Sequence, residues 1–473
     1  MPAAHVVVIG GGLAGLAASI PLAEHGLRVS LLEKHPRLGG RATSYLLSSG
    51  EYIDNCQHVT LRCCTNLEDF YRRLGVSDKI KYYDRLVFAD SKGQRGAIQA
   101  SWLPAPFHLA PSFAGFPLLD WKDKRAIIRA MFRIVRTRGQ PRLSREMTML
   151  DWLKQNRQTQ NTIHRFWRVV LVSALNEELD RTDAAYGIAV FWKAFLSNRD
   201  GFGMGIPAVP LEALYASAAN VLQRGNGHVR TRCGAAGLEI STGDVAGIRL
   251  DNGSVLNGDY YIAAIPSHRL LQILPSHLRD RDEFAKIRML NVSPITSVHL
   301  WFDEPVMPEP FLTSMDQTIQ WIFNKTALCC PSAAGQYLQV VISASHALTR
   351  QSQQDIISMC RKELVDLIPA SREAKLQRAV VIRENAATFA PEPGCDRWRP
   401  NERTSLRNLF LAGDWIQTGW PATMESAVRS GYRAAETILA LEGKAVRLVR
   451  PELPASGLVR WLNVSNWLAV AKK

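Results

Sequence analysis

Acidic residues are scarce in this chain: 43 Asp and Glu face 57 Lys and Arg, a formal charge of +14. Such an excess makes an anionic surface, lipid or nucleic acid, a candidate partner. No aromatic-basic nucleic-acid module accompanies it, whereas apolar stretches beside basic ones recur, so a membrane surface is favoured and no nucleic acid is expected. None of the eight cysteines has C-x-x-C spacing, and the adjacent pairs Cys63-Cys64 and Cys329-Cys330 read as neither a disulfide framework nor a zinc site. Reduced thiols in a cytoplasm, and no metal, are the expectation. Internal repeats and low-complexity linkers are also missing. Residues 6–23 are uncharged, but their four glycines and the lack of a basic flank argue against a signal or membrane segment. Residues 102–119 hold four prolines, which excludes a membrane-spanning helix. At 473 residues and 47% hydrophobic content the chain is globular and long enough for two cores.

What is present is concentrated at the start. His5-Val6-Val7-Val8-Ile9 is an uncharged, β-branched run suited to a central parallel strand buried on both faces. Gly10-Gly11-Gly12-Leu13-Ala14-Gly15 follows at once: Gly10 permits the tight turn, Gly12 lets backbone approach a pyrophosphate, and Gly15 allows close helix-strand packing. The phosphates would rest on the N-terminus of a helix from Leu13 to about His25, kinked at Pro21. A second strand over residues 28–32 ends in Glu33, a carboxylate placed for ribose hydroxyls and unsuited to a phosphorylated ribose. Strand, glycines, helix, strand and acid in register identify a dinucleotide-binding unit.

Leu38-Gly39-Gly40-Arg41-Ala42-Thr43 resembles the G-G-R-x-x-T signature of the amine-oxidase and phytoene-desaturase group of FAD enzymes. The resemblance implies an α/β fold: a Rossmann-type FAD-binding domain with a discontinuous α+β substrate domain. It implies FAD as cofactor, held by Gly10, Gly12, Leu13, Ala14, Gly15, Glu33, Lys34, Gly40 and Arg41. Asp54-Asn55-x-Gln57-His58-Val59, with Cys63-x-Thr65 and Leu74-Gly75 downstream, resembles more narrowly the hydroxysqualene dehydroxylases of bacterial hopanoid synthesis, although Cys56 and Arg62 stand where that pattern has glycine. In this group the segment passes beside the flavin ring, which makes His58, Gln57 and Asn55 candidate catalytic residues. An imidazole there is placed to protonate a departing hydroxyl, or only to bond backbone and orient the flavin; Gln57 and Asn55 are donors to substrate oxygen or turn satisfiers.

Further on, residues 121–138 read as a basic amphipathic helix with Ile127, Ile128, Met131, Phe132 and Val135 on one face, either a membrane-facing cap or a solvated domain helix. Helical periodicity over 149–175 and 183–195 suggests the core and tunnel lining of the substrate domain. Residues 201–207 read as a flexible crossing, and 211–222 as a helix. Gly227 to Cys233 resembles the group's strand that meets adenine through backbone at Val229. A meander is expected from residues 245–250 through the Asp251-Asn252-Gly253 turn to 260–266. Alternating strands at 295–302 and 338–344 and a helix at 355–367 complete the substrate domain.

Residues 408–415 and 419–431 resemble the group's C-terminal flavin motif. There Gly413 and Asp414 meet the ribityl chain, and the helix N-terminus at Thr423 and Met424 faces the flavin's pyrimidine edge. Ser426 replaces a usual glycine, and Trp415 and Trp420 are placed to flank substrate. The tail, 456–473, has the tryptophans and terminal lysines of an interfacial helix, or docks on the protein. The resemblance thus divides the chain into FAD-binding segments at 1–75, 206–290 and 401–445, substrate-domain segments at 76–205 and 291–400, and the tail at 446–473.

The implied activity is FAD-dependent reductive dehydroxylation of hydroxysqualene to squalene. The alternatives are a carotenoid-type desaturase, a flavin amine oxidase, and a membrane scaffold in which FAD is structural. The expected setting is cytoplasmic, peripheral on the inner face of the cell membrane, with an apolar isoprenoid substrate and squalene-pathway enzymes as neighbours.

Overall fold

The computed structural model describes residues 3–140, 146–331 and 335–460. Its first layer is a five-stranded, wholly parallel sheet in the order Gly227–Arg230, Arg28–Leu32, His5–Ile9, Tyr260–Ala263, Leu409–Leu411. Three stretches far apart in sequence therefore build one sheet, and Val6, Val7 and Val8 at its centre are fully buried, as a run apolar on both faces requires. Helix Leu13–Glu24 continues through Pro21 as a single element. It packs on helix Met424–Leu441, where a Cβ on Gly431 would lie 2.3 Å from the Ala14 carbonyl oxygen. Only glycine lets the two helices approach that closely.

The second layer is a seven-stranded sheet ordered Leu376–Phe389, Val292–Phe302, Gln336–Ser343, Trp321–Asn324, Phe311–Ser314, Arg85–Ala89, Arg95–Gln99, antiparallel except where Phe311–Ser314 meets Arg85–Ala89. Side chains alternate across it. Val298, Leu300, Val340 and Ile342 pack on helix Gln353–Leu367 and close one face. Phe311, Phe323 and Val341 point the other way, into a cluster with Cys56, Met204 and Ile206.

Several expected elements take a different form. Residues 204–207 are a buried strand rather than a flexible crossing, the middle of a small sheet between Thr60–Leu61 and Ile80–Tyr83; hydrogen bonds on both sides fix it. The Asp251-Asn252-Gly253 turn does close a hairpin, with Gly253 at φ +82°, but onto Val255–Leu256, while Tyr260–Ala263 leaves for the parallel sheet. The helix expected over 211–222 is two, Leu211–Tyr215 and Ala218–Arg224. The periodic region 149–196 is broken into short helices and includes π-helical turns at Ile163–Trp167 and Trp192–Leu196. Helix Trp121–Arg136 splits the single apolar face expected of it: Ile127 and Val135 are buried with Ala130 and Ile134, while Ile128 and Phe132 turn outward. The interfacial helix expected in the tail lies outside the described residues from position 461 onward. Among the described residues, no helix is long and apolar enough to cross a membrane.

Candidate active site

Two glycine loops form a cradle at the end of the parallel sheet. Gly10 sits at φ +107° and its missing Cβ leaves room for the Ala264 carbonyl, so the chain turns directly from strand into helix. Gly12 bridges Gly39 of the second loop, and a Cβ on Gly12 would meet only Gly40 Cα, at 3.7 Å, and otherwise project into open space. Helix Leu13–Glu24 has no side-chain cap and no acid in its first turn, so the backbone N–H groups of Leu13, Ala14 and Gly15 are left for an outside acceptor. A cleft lined by backbone at an uncapped helix start fits a pyrophosphate.

The groups around the cradle fit the rest of a dinucleotide. Glu33 is buried and accepts from the backbone N–H groups of Gly11 at 2.7 Å and His35 at 2.8 Å. A carboxylate has about four acceptor positions, so two remain for ribose hydroxyls; Lys34 beside it is exposed. Val229 lies on the edge strand, and the bonds Val29 N–H to Asn226 O and Glu33 N–H to Arg230 O place every second residue of that strand in the ladder. Parallel pairing then leaves the Val229 N–H and C=O facing outward, free for a base.

At the far end, Gly413 donates to Ser430 Oγ, and Asp414 Oδ1 accepts from Arg41 at 2.5 Å. Arg41 also donates to the Ala387 carbonyl, so one guanidinium joins the second glycine loop to the third segment. Thr423 caps helix Met424–Leu441 by accepting from Ser426 N–H, and Met424 opens that helix with its own N–H uncommitted. Ser426 adds a link that glycine could not: its Oγ lies 2.6 Å from Thr418 Oγ and donates to the Asp414 carbonyl. Arg399, which no motif announced, is buried and donates to the carbonyls of Ile416 and Trp420, fixing the loop that carries Asp414.

Between cradle and second sheet runs the hairpin Ser44–Leu46/Tyr52–Asp54 and then the loop 55–59. Its polar groups are largely committed within the protein. Asn55 Nδ2 donates to the Arg41 carbonyl, and Gln57 Nε2 donates to the His58 carbonyl while its Oε1 accepts from Lys325 at 2.9 Å. These bonds fit the reading of Asn55 and Gln57 as groups that hold the loop in shape, and each amide NH2 keeps a second N–H beyond the bond named. Cys56 and Arg62, in place of glycine, keep negative φ, so the backbone path asks for no glycine at either position.

His58 is different. Its Nδ1 lies 3.0 Å from the Cys56 carbonyl, which can only accept, so Nδ1 carries the hydrogen and Nε2 is the open nitrogen. Burial lowers the His58 pKa, with the cations of Arg41 and Lys325 adding to it, so the resting ring is neutral.

Lys325 was not visible in the sequence as a site residue. Its ammonium is buried and donates to Asp54 Oδ2 at 2.7 Å as well as to Gln57. Burial alone would lower Lys325 and raise Asp54, but each ion outweighs that for the other: Lys325 is held above the usual lysine range, Asp54 below the usual carboxylate range. Beyond it His299, lowered to about 3 by burial, meets Tyr337 OH at 2.6 Å. The apolar wall of Phe311, Phe323 and Val341 begins beside Cys56.

Comparison with known proteins agrees with this geometry. The family described as flavin containing amine oxidoreductase matches residues 13–439. A probable zeta-carotene desaturase of Synechococcus elongatus is 25% identical, over 92% of this chain and 98% of that protein. A 15-cis-phytoene desaturase of an Oncidium hybrid is 24% identical over 92% and 78%. Among solved structures, an oxidoreductase from Methanosarcina mazei superposes with a TM-score of 0.72 at 18% identity, over 91% of this chain and 100% of that one. Cyclohexylamine oxidase from Brevibacterium oxydans gives 0.68 at 15%, over 93% and 100%.

Proposed function

We propose that this chain, which belongs to the flavin-containing amine oxidoreductase family, acts on a long apolar isoprenoid and, most specifically, removes the allylic hydroxyl of hydroxysqualene to give squalene. Its cofactor is FAD, which supplies the hydride chemistry at the allylic carbon. The observation that carries the reading is the junction of the 54–59 loop, with its Asp-Asn-x-Gln-His-Val pattern, and the apolar wall that starts at Cys56. Asp54, the carboxylate of this loop, is already neutralised by Lys325 and offers no counter-charge to an amine.

His58 does the proton work. Its open Nε2 accepts a hydrogen bond from the substrate hydroxyl and fixes the oxygen. Departure of that oxygen as water needs a proton, and the imidazolium that supplies it is the minor form at neutral pH because burial depresses the pKa. Cys56 is a neutral thiol, pushed up to about 12 by burial, and serves as apolar wall. Excluding water from this wall keeps the cationic character that develops at the allylic carbon from being trapped by solvent.

A second reading, desaturation of a carotenoid precursor, is favoured by the names of the relatives. It runs the chemistry in the oxidative direction, with neutral Nε2 of His58 taking a proton in place of giving one. The test is to present the purified protein, anaerobically, with hydroxysqualene when its flavin is reduced and with phytoene when it is oxidised. Reoxidation with squalene formed supports dehydroxylation. Flavin reduced by phytoene alone moves the assignment to desaturase, and reduction by an amine would sink both.

A further inference from the structure

We propose that residues 102–132 form a docking face for an anionic lipid bilayer. Trp102 is 82% exposed, Phe132 65% and Trp121 61%, with Phe107 and Ile128 just over half exposed. Isolated exposed apolar residues are ordinary, but five large ones within one stretch of 31 residues exceed that scatter. Between Trp102 and Pro117 the residues classed as exposed are apolar or glycine.

The helix continues the pattern. Helix Trp121–Arg136 turns Ile127, Ala130, Ile134 and Val135 to the core. Trp121, Arg125, Ile128 and Phe132, spaced four, three and four apart, form its outer stripe, with Lys122, Arg129, Arg133 and Arg136 exposed alongside. Lys124 donates to the Ala114 carbonyl at 2.7 Å and binds the helix to the apolar stretch before it. Acid is scarce in this stretch: Asp120 caps the helix by accepting from Asp123 N–H, and Asp123 is buried with Thr159 and Asn161. Aromatic side chains flanked by cations match the interface of an anionic membrane, where rings sit at headgroup depth and Lys and Arg meet lipid phosphates.

Charge selects this occupant over two others. A second copy of the same face would set like charges against one another. Residues 461–473 follow directly from the segment whose Leu458 N–H bonds the Ala105 carbonyl, but they carry Lys472 and Lys473 and no acid, so they too repeat the sign of the face. Behind the patch, Phe116, Leu118, Leu119 and Ile127 pack with Phe88 and Met315. Leu86 joins that cluster to the wall of Phe311 and Phe323 at Cys56.

The experiment is co-sedimentation of the FAD-loaded protein with phosphatidylcholine vesicles and with vesicles containing one quarter phosphatidylglycerol. The protein is expected to partition at least tenfold more strongly onto the anionic vesicles, and less so in high salt. Trp102→Ser, Trp121→Ser, Ile128→Ser and Phe132→Ser combined should lower that partitioning at least tenfold, with the flavin spectrum and turnover of detergent-dispersed substrate unchanged. Arg125→Gln with Arg129→Gln should remove most of the anionic preference. Wild-type protein left in the supernatant, or sedimentation unaltered by the four serines, would overturn the proposal. So would a dimer that the serine variant converts to monomer without changing sedimentation, or a gain in vesicle binding when residues 461–473 are deleted, which would show the face covered by the tail. Failure of the substrate reading leaves the vesicle result standing, since the sedimentation itself uses no substrate.

Discussion

Of the ion pairs that tie the stretch from Arg41 to His58 to the rest of the protein, Arg41–Asp414 and Asp54–Lys325 are built for different surroundings. Arg41–Asp414 lies in the cradle, and the arginine side chain remains 35% exposed. Asp54–Lys325 lies between the hairpin and the second sheet, with its side chains 3% and 1% exposed. The open pair keeps an acceptor facing the cleft, because Asp414 spends one oxygen on Arg41. The sealed pair is turned to the protein: Asp54 accepts from Lys325, Ser44 and the Leu211 N–H. One pair therefore stays open to solvent, and the other holds the loop that carries His58.

The difference is sharpest when one ion is removed. Lys325→Met strands a buried carboxylate, and such losses cost about 3–5 kcal/mol. Chemical denaturation should show that loss, and Asp54→Asn in the same protein should recover much of it, because the amide needs no counter-charge. A single variant within about 1 kcal/mol of wild type would contradict the sealed pair. Arg41→Ala should cost less stability, about 1 kcal/mol, because water reaches the site. Its larger effect falls on the flavin, whose retention through gel filtration should drop.

The sealed pair also sets a pH window. Asp54 is depressed in the folded state, so its contribution is present above the unfolded carboxylate pKa, about 4, and is lost as pH falls through the lower folded value. Lys325 is raised, so its contribution is complete below about 10 and lost as pH climbs through the higher folded value. The stability gap between wild type and Asp54→Asn/Lys325→Met should be constant from about pH 5 to 9 and change only outside it. A gap that titrates near neutrality would point to another group.

The smallest stability effect is expected at His58. Its ring makes one recorded bond, to Cys56, so His58→Ala should cost about 1 kcal/mol or less. FAD should stay bound while turnover falls by roughly a hundredfold, the usual scale for losing a positioned acid or base.

The same contrast explains what the sequence revealed. Gly10, Gly12, Glu33, Arg41 and Gly413 act through backbone shape or charge at fixed local spacing, so short motifs expose them. Lys325 reaches Asp54 across 271 positions, and its neighbours Asn324 and Thr326 carry no signal. Only the folded second sheet brings the two together. Arg399 escaped notice likewise, since a buried arginine bonded to carbonyls has no sequence signature. The wall at Cys56 was partly legible, as alternating strands, but which face met the loop depended on sheet order. Periodicity groups Ile127, Ile128, Met131, Phe132 and Val135 on one face, but the structure buries Ile127 and Val135 and turns Ile128 and Phe132 out, because which part of a broad apolar face meets the core depends on packing.

The central claim is that His58, beside Cys56 and the apolar wall that starts there, is neutral at rest and supplies the proton through its minor imidazolium form as a hydroxyl leaves. The most direct test is anaerobic single turnover of the reduced protein with hydroxysqualene from pH 5 to 9, following flavin absorbance and the extracted lipid. The prediction is one squalene per flavin reoxidised, a rate that rises as pH falls, and loss of that slope in His58→Ala. Reduced flavin that persists beside unchanged hydroxysqualene, or a rate indifferent to pH and to His58, would contradict it.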